Sequence, residues 1–189
     1  MALSNIAIIG SSAGGPRILK EIFTELPVLN GAIVIVQHMP EFVNKSFTEE
    51  LNSLTEMQVV IPDYGQEIAS GTVYTAPSEY HCELINNSKI RLYKGEKVNF
   101  VCPSIDVTMK SVVKRPYMNI IGIILTGMGS DGKEGIRHIN SIYGTTIAQD
   151  KYSSIIYGMP REAIETGCID YVLNPIQIKD KLIELMGVK

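Results

Sequence analysis

The 189-residue sequence has few cysteines, no excess of basic residues and no long hydrophobic run. Its three cysteines, Cys82, Cys102 and Cys168, are odd in number and far apart, which argues against a disulfide framework or a zinc site and is typical of a reducing compartment. Lysine and arginine number 17 against 20 aspartates and glutamates, giving a net charge of −3. Because a nucleic acid backbone selects a basic surface, nucleic acid is not the expected partner.

The hydrophobic pattern excludes membrane-spanning helices as well. The longest apolar runs, such as 32–36 and 120–125, are about a third of the ~20 residues that such a helix needs. The N-terminus lacks the charged head and long apolar stretch of a signal peptide. We therefore expect a cytoplasmic protein that is neither secreted nor inserted into a membrane.

The overall composition is that of a globular protein. Hydrophobic residues make up 45% and charged residues 20% of the chain, unlike the balance in a disordered protein or a coiled coil. The length fits one domain of ~100 to 200 residues. We find no repeat, low-complexity tract or linker, so residues 1–189 are assigned to a single domain.

Short β-branched runs alternate with amphipathic stretches, which predicts buried parallel strands joined by helices. The expected fold is α/β, with a doubly wound, mostly parallel sheet and helices on both faces. Strands are predicted at 6–9, 32–37, 57–61, 120–126, 145–148 and 170–173, and helices from about 16 and at 43–54, 105–113, 136–142, 160–165 and 176–186. Short alternating runs at 73–76, 82–85 and 90–93 form a separate group, and the last two predict a small antiparallel hairpin.

Ligands and catalytic groups collect at the carboxyl ends of the strands in such a sheet. Ser12 is the centre of the segment 10–14, a Gly-x-Ser-x-Gly frame at a strand-to-helix turn that exposes the serine oxygen beside a helix N-terminus. Ser11 lacks this framing. The loop alone is equally compatible with a plain glycine-rich turn or a phosphate cradle, although it has no P-loop lysine and does not match Gly-x-Gly-x-x-Gly.

Two further candidates follow other predicted strands. His38 is a candidate general base, and Asp131 a candidate for orienting its imidazole. Each signal is weak alone, since a histidine at a strand end is more often structural and an aspartate before glycine is a common turn former. Their position on one sheet edge favours a triad, in which we expect the Ser12 hydroxyl and Asp131 to bind opposite nitrogens of the imidazole. Gly127 and Gly129 have no side chains to cover the backbone amides of the turn 127–129, so these amides are accessible as hydrogen-bond donors to an oxyanion.

Six short motifs occur in order along almost the whole chain. They are Ile-Gly-Ser-Ser-Ala-Gly-Gly-Pro (9–16), Val-Gln-His-Met-Pro (36–40), Tyr-Thr-Ala-Pro (74–77) with His81, Pro-Ser-Ile-Asp (103–106), Leu-Thr-Gly-Met-Gly-Ser-Asp-Gly (125–132) and Gly-Met-Pro-Arg-Glu-Ala (158–163). Together they resemble the catalytic domain of CheB-type protein-glutamate methylesterases, the enzymes that demethylate bacterial and archaeal chemoreceptors.

The resemblance implies a serine hydrolase that needs no metal or organic cofactor. Ser12 would be the nucleophile, His38 the base and Asp131 the orienting carboxylate, with the amide of Met128 helping to hold the oxyanion. The implied reaction is hydrolysis of glutamate γ-methyl esters, with glutaminase activity as well, and the implied partner is a methylated chemoreceptor.

Some features differ from the usual pattern of the family. Members of the family usually have arginine at the position of Glu50 and often at the position of Cys102. We therefore expect fewer positive charges around a cleft that meets an acidic receptor. Members also commonly carry an N-terminal receiver domain, and we expect none within residues 1–189. Two other functions stay open: a nucleotide-binding Rossmann-like domain, suggested by the first glycine-rich loop, and a non-catalytic receptor-binding module, suggested by the altered charges.

Overall fold

The computed structural model describes residues 3–189, and nine strands and six helices account for most of them. The strands are β1 (Asn5–Ser11), β2 (Ala32–Gln37), β3 (Gln58–Val60), β4 (Thr72–Thr75), β5 (His81–Ile85), β6 (Lys89–Tyr93), β7 (Asn119–Ile124), β8 (Thr145–Gln149) and β9 (Tyr171–Leu173). The helices are α1 (Gly15–Phe23), α2 (Asn44–Leu54), α3 (Ile105–Ser111), α4 (Lys133–Ser141), α5 (Met159–Ile164) and α6 (Pro175–Met186). A single 3₁₀ turn, Glu41–Val43, precedes α2.

Seven of the strands form one parallel sheet in the order β3-β4-β2-β1-β7-β8-β9, and β5 and β6 form a separate antiparallel hairpin. The hydrophobic core has two layers because successive side chains of a strand point to opposite faces. On β1, Ile6 and Ile8 pack into one layer and Ala7 and Ile9 into the other. Helices α1, α2 and α6 cover one face, and α3, α4, α5 and the hairpin cover the other. The predicted doubly wound α/β fold and the hairpin are confirmed.

The run at 73–76 lies in a different place from the one its pattern suggests. Its alternating pattern is like that of the two hairpin runs, but β4 pairs in parallel with β2 and β3 inside the large sheet. All four residues of β4 are buried, so this strand resembles the other two-sided strands of the sheet more than an exposed hairpin. With only four residues, the strand is too short for its sequence to show that both faces are buried.

The strand order places a crevice at the carboxyl ends of β1 and β7. These two strands are neighbours, but the chain leaves β1 toward β2 on one side and continues from β7 toward β8 on the other. The loops that follow β1 and β7 therefore diverge, which is where open α/β sheets bind ligands. None of the helices within residues 3–189 has the length and apolar character needed to cross a membrane.

Candidate active site

Ser12 lies in the turn between β1 and α1. Its amide donates a hydrogen bond of 3.0 Å to the carbonyl of Thr126, which links the turn to the loop after β7. Gly14 has a φ of +81°, a conformation that favours glycine. A Cβ on Gly127 would lie 2.8 Å from the Cβ of Ser12, so only glycine allows the two loops to approach this closely. Ser12 is partly exposed, and its hydroxyl bonds to no protein atom within residues 3–189.

The neighbouring Ser11 has a different environment. It is fully buried, and its hydroxyl donates a 2.5 Å hydrogen bond to Oε1 of Gln37. The Nε2 atom of the same glutamine donates to the carbonyls of Ser12 at 2.9 Å and His38 at 2.8 Å. Gln37 thus joins the backbones of two candidate site residues, a role that the sequence reasoning missed although the residue directly precedes His38.

His38 and Asp131 form a hydrogen-bonded pair at the sheet edge. Nε2 of His38 lies 3.0 Å from Oδ2 of Asp131, and the two side chains are only 12% and 4% exposed. The His38 amide donates to the carbonyl of Ser11 at 3.0 Å, which anchors the end of β2 against β1. Since Nε2 is occupied by Asp131, Nδ1 is the ring nitrogen left to exchange a proton.

Four protein donors besides His38 surround the carboxylate of Asp131. Oδ2 accepts the amide of Ile105 at 2.7 Å, while Oδ1 accepts the Ser104 hydroxyl at 2.7 Å, the Asn99 carboxamide at 2.8 Å and the Asp106 amide at 3.2 Å. Burial alone raises the pKa of Asp131, but the hydrogen bonds outweigh it and leave the pKa below its ordinary value of 3.8. Asp131 is therefore held as a carboxylate.

A second buried carboxylate, Asp106, lies beside the first. Its Oδ1 accepts the amide of Gly135 at 2.7 Å, and its Oδ2 accepts the same Asn99 carboxamide at 2.8 Å. Burial, with the neighbouring charge of Asp131, raises the pKa of Asp106 above 3.8 in spite of these bonds. Sequence reasoning missed Asn99, Ser104 and Asp106 as site residues. The last two stand in the Pro-Ser-Ile-Asp motif, whereas nothing in the sequence singled out Asn99.

One cavity of about 470 Å³ brings the candidates together. Its lining comprises Ser12, Ala13, His38, Asn99, Phe100, Val101, Met128, Gly129, Ser130 and Asp131. The expected hydrogen bond between Ser12 and His38 is not formed, although both side chains face this cavity. The amide of Met128 makes no hydrogen bond with any protein group in the described part of the chain. Phe100 and Met128, 93% and 76% exposed, form an apolar rim.

Two positions at the start of α1 offer no amide to a phosphate. The Gly15 amide, the first of α1, donates back to the carbonyl of Ser12 at 2.8 Å, and Pro16 has no N–H. No group of three or more His, Cys, Asp or Glu side chains in residues 3–189 is placed to hold a metal ion. The catalytic candidates at this edge are instead the Ser12 hydroxyl, the His38 imidazole and the Asp131 carboxylate, and Asp131 and its neighbour Asp106 are both bound by protein donors.

The two positions with unusual charge lie on different parts of the molecule. Glu50 is on an exposed side of α2 and forms a 2.5 Å ion pair with Lys20 of α1. Cys102 is half-buried in the loop that leads from Val101 to α3. Burial, and then the charge of Glu79, raise the pKa of the Cys102 thiol, with Lys97 opposing them.

The chain is similar to proteins of known family. Residues 7–182 match the family model described as CheB methylesterase. A protein-glutamate methylesterase/protein-glutamine glutaminase of Thermotoga maritima is 41% identical over 185 residues, covering 96% of this chain and 54% of the relative. Proteins of the same name from Archaeoglobus fulgidus and Salmonella typhimurium are 39% and 36% identical over 186 residues each, covering 96% and 97% of this chain and 53% of each relative.

A solved structure shares the whole fold. The crystal structure of the Thermotoga maritima CheB methylesterase catalytic domain matches with a TM-score of 0.90 at 41% identity. The match covers 98% of this chain and 100% of that chain. The chain spans about half the length of the curated relatives it matches.

Proposed function

Because this chain belongs to the CheB methylesterase family, we propose that it hydrolyses γ-methyl esters of glutamate side chains in chemoreceptor proteins. We assign Ser12 as the nucleophile, His38 as the general base and Asp131 as the carboxylate that orients the imidazole. The observation that carries the assignment is the 3.0 Å bond between His38 and Asp131 at the wall of the cavity that Ser12 also lines. The same chemistry applied to a glutamine side chain releases ammonia.

The first half of the reaction forms an acyl-enzyme. The Ser12 oxygen attacks the ester carbonyl while Nδ1 of His38 takes the serine proton. The ionised Asp131 stabilises the imidazolium at Nε2. The negative charge that develops on the carbonyl oxygen is held by the free amide of Met128, in the manner of an oxyanion hole. The acyl-enzyme forms when the imidazolium of His38 gives its proton to the departing methoxide, which leaves as methanol, or to the departing amine, which leaves as ammonia, if the substrate is a glutamine.

The second half regenerates the enzyme. A water molecule then attacks the acyl carbon as His38 takes its proton, and the Ser12 oxygen leaves with that proton. In the structure the Ser12 hydroxyl does not bond to His38, and catalytic bonds of this kind often tighten only when substrate is present.

Methanol release from a methylated chemoreceptor fragment tests the proposal. Wild type should release methanol, and Ser12→Ala should lower kcat by about a thousandfold or more, since triad members act as a unit. Thermal unfolding should barely change because the Ser12 hydroxyl has no hydrogen-bond partner among residues 3–189. A fluorophosphonate should label wild type at Ser12 and label His38→Ala far more slowly.

Ser11→Ala is the matched control, because it removes a hydroxyl from the adjacent residue. It leaves Gln37 without a buried donor and should lower stability by about 1 to 3 kcal/mol while most of the turnover persists. Equal turnover in the Ser11 and Ser12 variants would mean that the wrong serine is assigned. Binding of ATP or NAD without esterase activity would favour the nucleotide-binding alternative, and receptor capture without methanol release would favour the non-catalytic one.

A further inference from the structure

We infer that Asn99 is a positioning residue that holds the Asp131 carboxylate in place for His38, and this inference rests on the proposed function. The Asn99 carboxamide nitrogen lies 2.8 Å from Oδ1 of Asp131 and 2.8 Å from Oδ2 of Asp106. One amide group thus bridges two buried carboxylates, and the other oxygen of Asp131 meets His38.

The backbone around Asn99 aims its side chain at the carboxylates. Val98 and Val101 exchange hydrogen bonds of 3.1 Å in both directions, and the two residues between them, Asn99 and Phe100, have φ values of +55° and +66°. Positive φ at both central positions defines a type I′ turn. The turn lies on the surface and presents Phe100 to solvent, while the Asn99 carboxamide reaches the buried carboxylates.

The two carboxylates hold the ends of two helices against each other. Asp131, just before α4, accepts the first amides of α3 from Ile105 and Asp106. Asp106, in the first turn of α3, accepts the amide of Gly135 in the first turn of α4. At α4 the Asp106 acceptor stands in place of a local capping side chain at Gly132, whereas α3 receives Asp131 in addition to its local Ser104 cap.

This reciprocal arrangement brings two negative charges together in a buried region. Like charges in one site disfavour each other's ionised form. The pKa of Asp106 is raised first by burial and then by the charge of Asp131. The titratable and charged groups that face the pair are His38, just after β2, and Lys110 from α3; the Asn99 amide and the Ser104 hydroxyl are its neutral side-chain donors. The carboxamide donates to Oδ1 of Asp131 and Oδ2 of Asp106 at once, so it offsets the repulsion and leaves Oδ2 of Asp131 to the Ile105 amide and His38.

The test compares Asn99→Ala with Asn86→Ala. Asn86 is a matched control because it is exposed, also lies in a tight turn with a φ of +51°, and uses its side chain for no hydrogen bond with another described residue. Both variants therefore suffer the same backbone penalty, and only the first removes a donor from the carboxylates. Turnover of a small neutral ester and the pKa of Asp131, from carboxyl-carbon NMR, are measured for both. Asp131→Asn identifies the resonance.

We expect Asn99→Ala to lower kcat by about tenfold with little change in KM, as for one lost hydrogen bond to a charged group. The pKa of Asp131 should rise, since a donor to its ionised form is gone. Asn86→Ala should change neither value. The inference is overturned if Asn99→Ala matches the Asn86 variant in kcat, or if the Asp131 pKa stays the same.

A second variant covers the case in which Asn99→Ala does not fold. Asn99→Gly adopts a φ of +55° without strain and still lacks the donor, so it should show the same two changes. Recovery of wild-type kcat in Asn99→Gly would assign the effect to backbone strain and overturn the inference. If wild type hydrolyses no ester at all, the proposed function fails, while the Asp131 pKa still decides whether Asn99 holds this carboxylate.

Discussion

Gln37 holds the backbone of Ser12 across the sheet edge, with its Nε2 atom 2.9 Å from the Ser12 carbonyl oxygen. The same nitrogen donates to the carbonyl of His38, and the glutamine oxygen accepts from Ser11. A single side chain at the end of β2 therefore sets the spacing between the turn that carries Ser12 and the residue that carries the imidazole.

Gln37→Glu should damage both stability and turnover. The substitution replaces a donor with a carboxylate oxygen facing two carbonyls, in a residue that is only 3% exposed. Burying an unpartnered charge and losing two hydrogen bonds should lower the free energy of unfolding by about 3 kcal/mol or more. Urea unfolding and small-ester kcat measure the two effects.

Gln66→Glu is the control for this substitution. The Gln66 side chain uses its oxygen to accept the amide of Asp63 at 2.9 Å, and glutamate retains that acceptor. It should leave stability and kcat close to wild type. Equal behaviour of the two glutamate variants would contradict the role given to Gln37.

Protonation of Asp131 should make the free energy of unfolding depend on pH. Its pKa is lowered in the folded state, so it stabilises the fold above its ordinary value of 3.8, and this contribution is lost as the pH falls through the lower folded value. Asp106 acts in the opposite sense, because its raised pKa disfavours the folded state at neutral pH and this penalty fades as the pH falls through that raised value. Wild type should therefore exceed Asp131→Asn in stability at pH 7 by more than at pH 3.

Urea unfolding at pH 7, 5 and 3 measures this difference. Asp180→Asn, at an exposed position on α6, serves as the control and should follow wild type at every pH. A constant difference between wild type and Asp131→Asn across this range would show that the Asp131 hydrogen bonds do not stabilise its ionised form.

Phe100→Gly should stabilise the protein. Phe100 has a φ of +66° and is 93% exposed, so it has an unfavourable backbone conformation and little burial in return. Glycine has no Cβ, so the substitution removes this steric conflict. The free energy of unfolding should rise by about 1 kcal/mol and Tm by about 2 to 4 °C in a protein of this size. Phe100→Ala retains the Cβ and should give no such gain. A similar Tm for both variants would mean that backbone strain at this turn is negligible.

Glu50→Arg should raise kcat/KM on an acidic receptor fragment, chiefly through faster association. The substitution converts the Lys20–Glu50 ion pair into two positive charges on α1 and α2, which favours encounter with a negative partner. The gain should shrink with added salt, since the Debye length is only ~8 Å at physiological ionic strength. Glu50→Gln, with half of the charge change, should give a smaller gain.

Turnover of a small neutral ester is the control for the Glu50 variants and should barely move. The ion pair is exposed, so its loss should have little effect on stability. If small-ester turnover changed as much as receptor turnover, Glu50 would support the catalytic groups instead of the encounter with the receptor.

The sequence alone predicted the parallel α/β fold, the hairpin and the family. The buried strands β1, β2 and β7 appear in the sequence as β-branched apolar runs, since both faces of such strands are covered. The same pattern placed Ser12, His38 and Asp131 at strand ends, and parallel strands end on one edge of their sheet. Their proximity therefore followed from local signals and topology, whereas their catalytic roles stay a prediction.

Tertiary structure decided the contacts that no periodicity encodes. Gln37 reaches Ser12 from 25 positions away, and Asn99 reaches Asp131 from 32 positions away, each through one side chain in a turn or strand end. The expected bond between Ser12 and His38 also depends on side-chain rotation, which sequence does not specify. Hydropathy records whether a position is buried, but it does not record which distant donor meets which acceptor, because that match is made only when separate elements pack together.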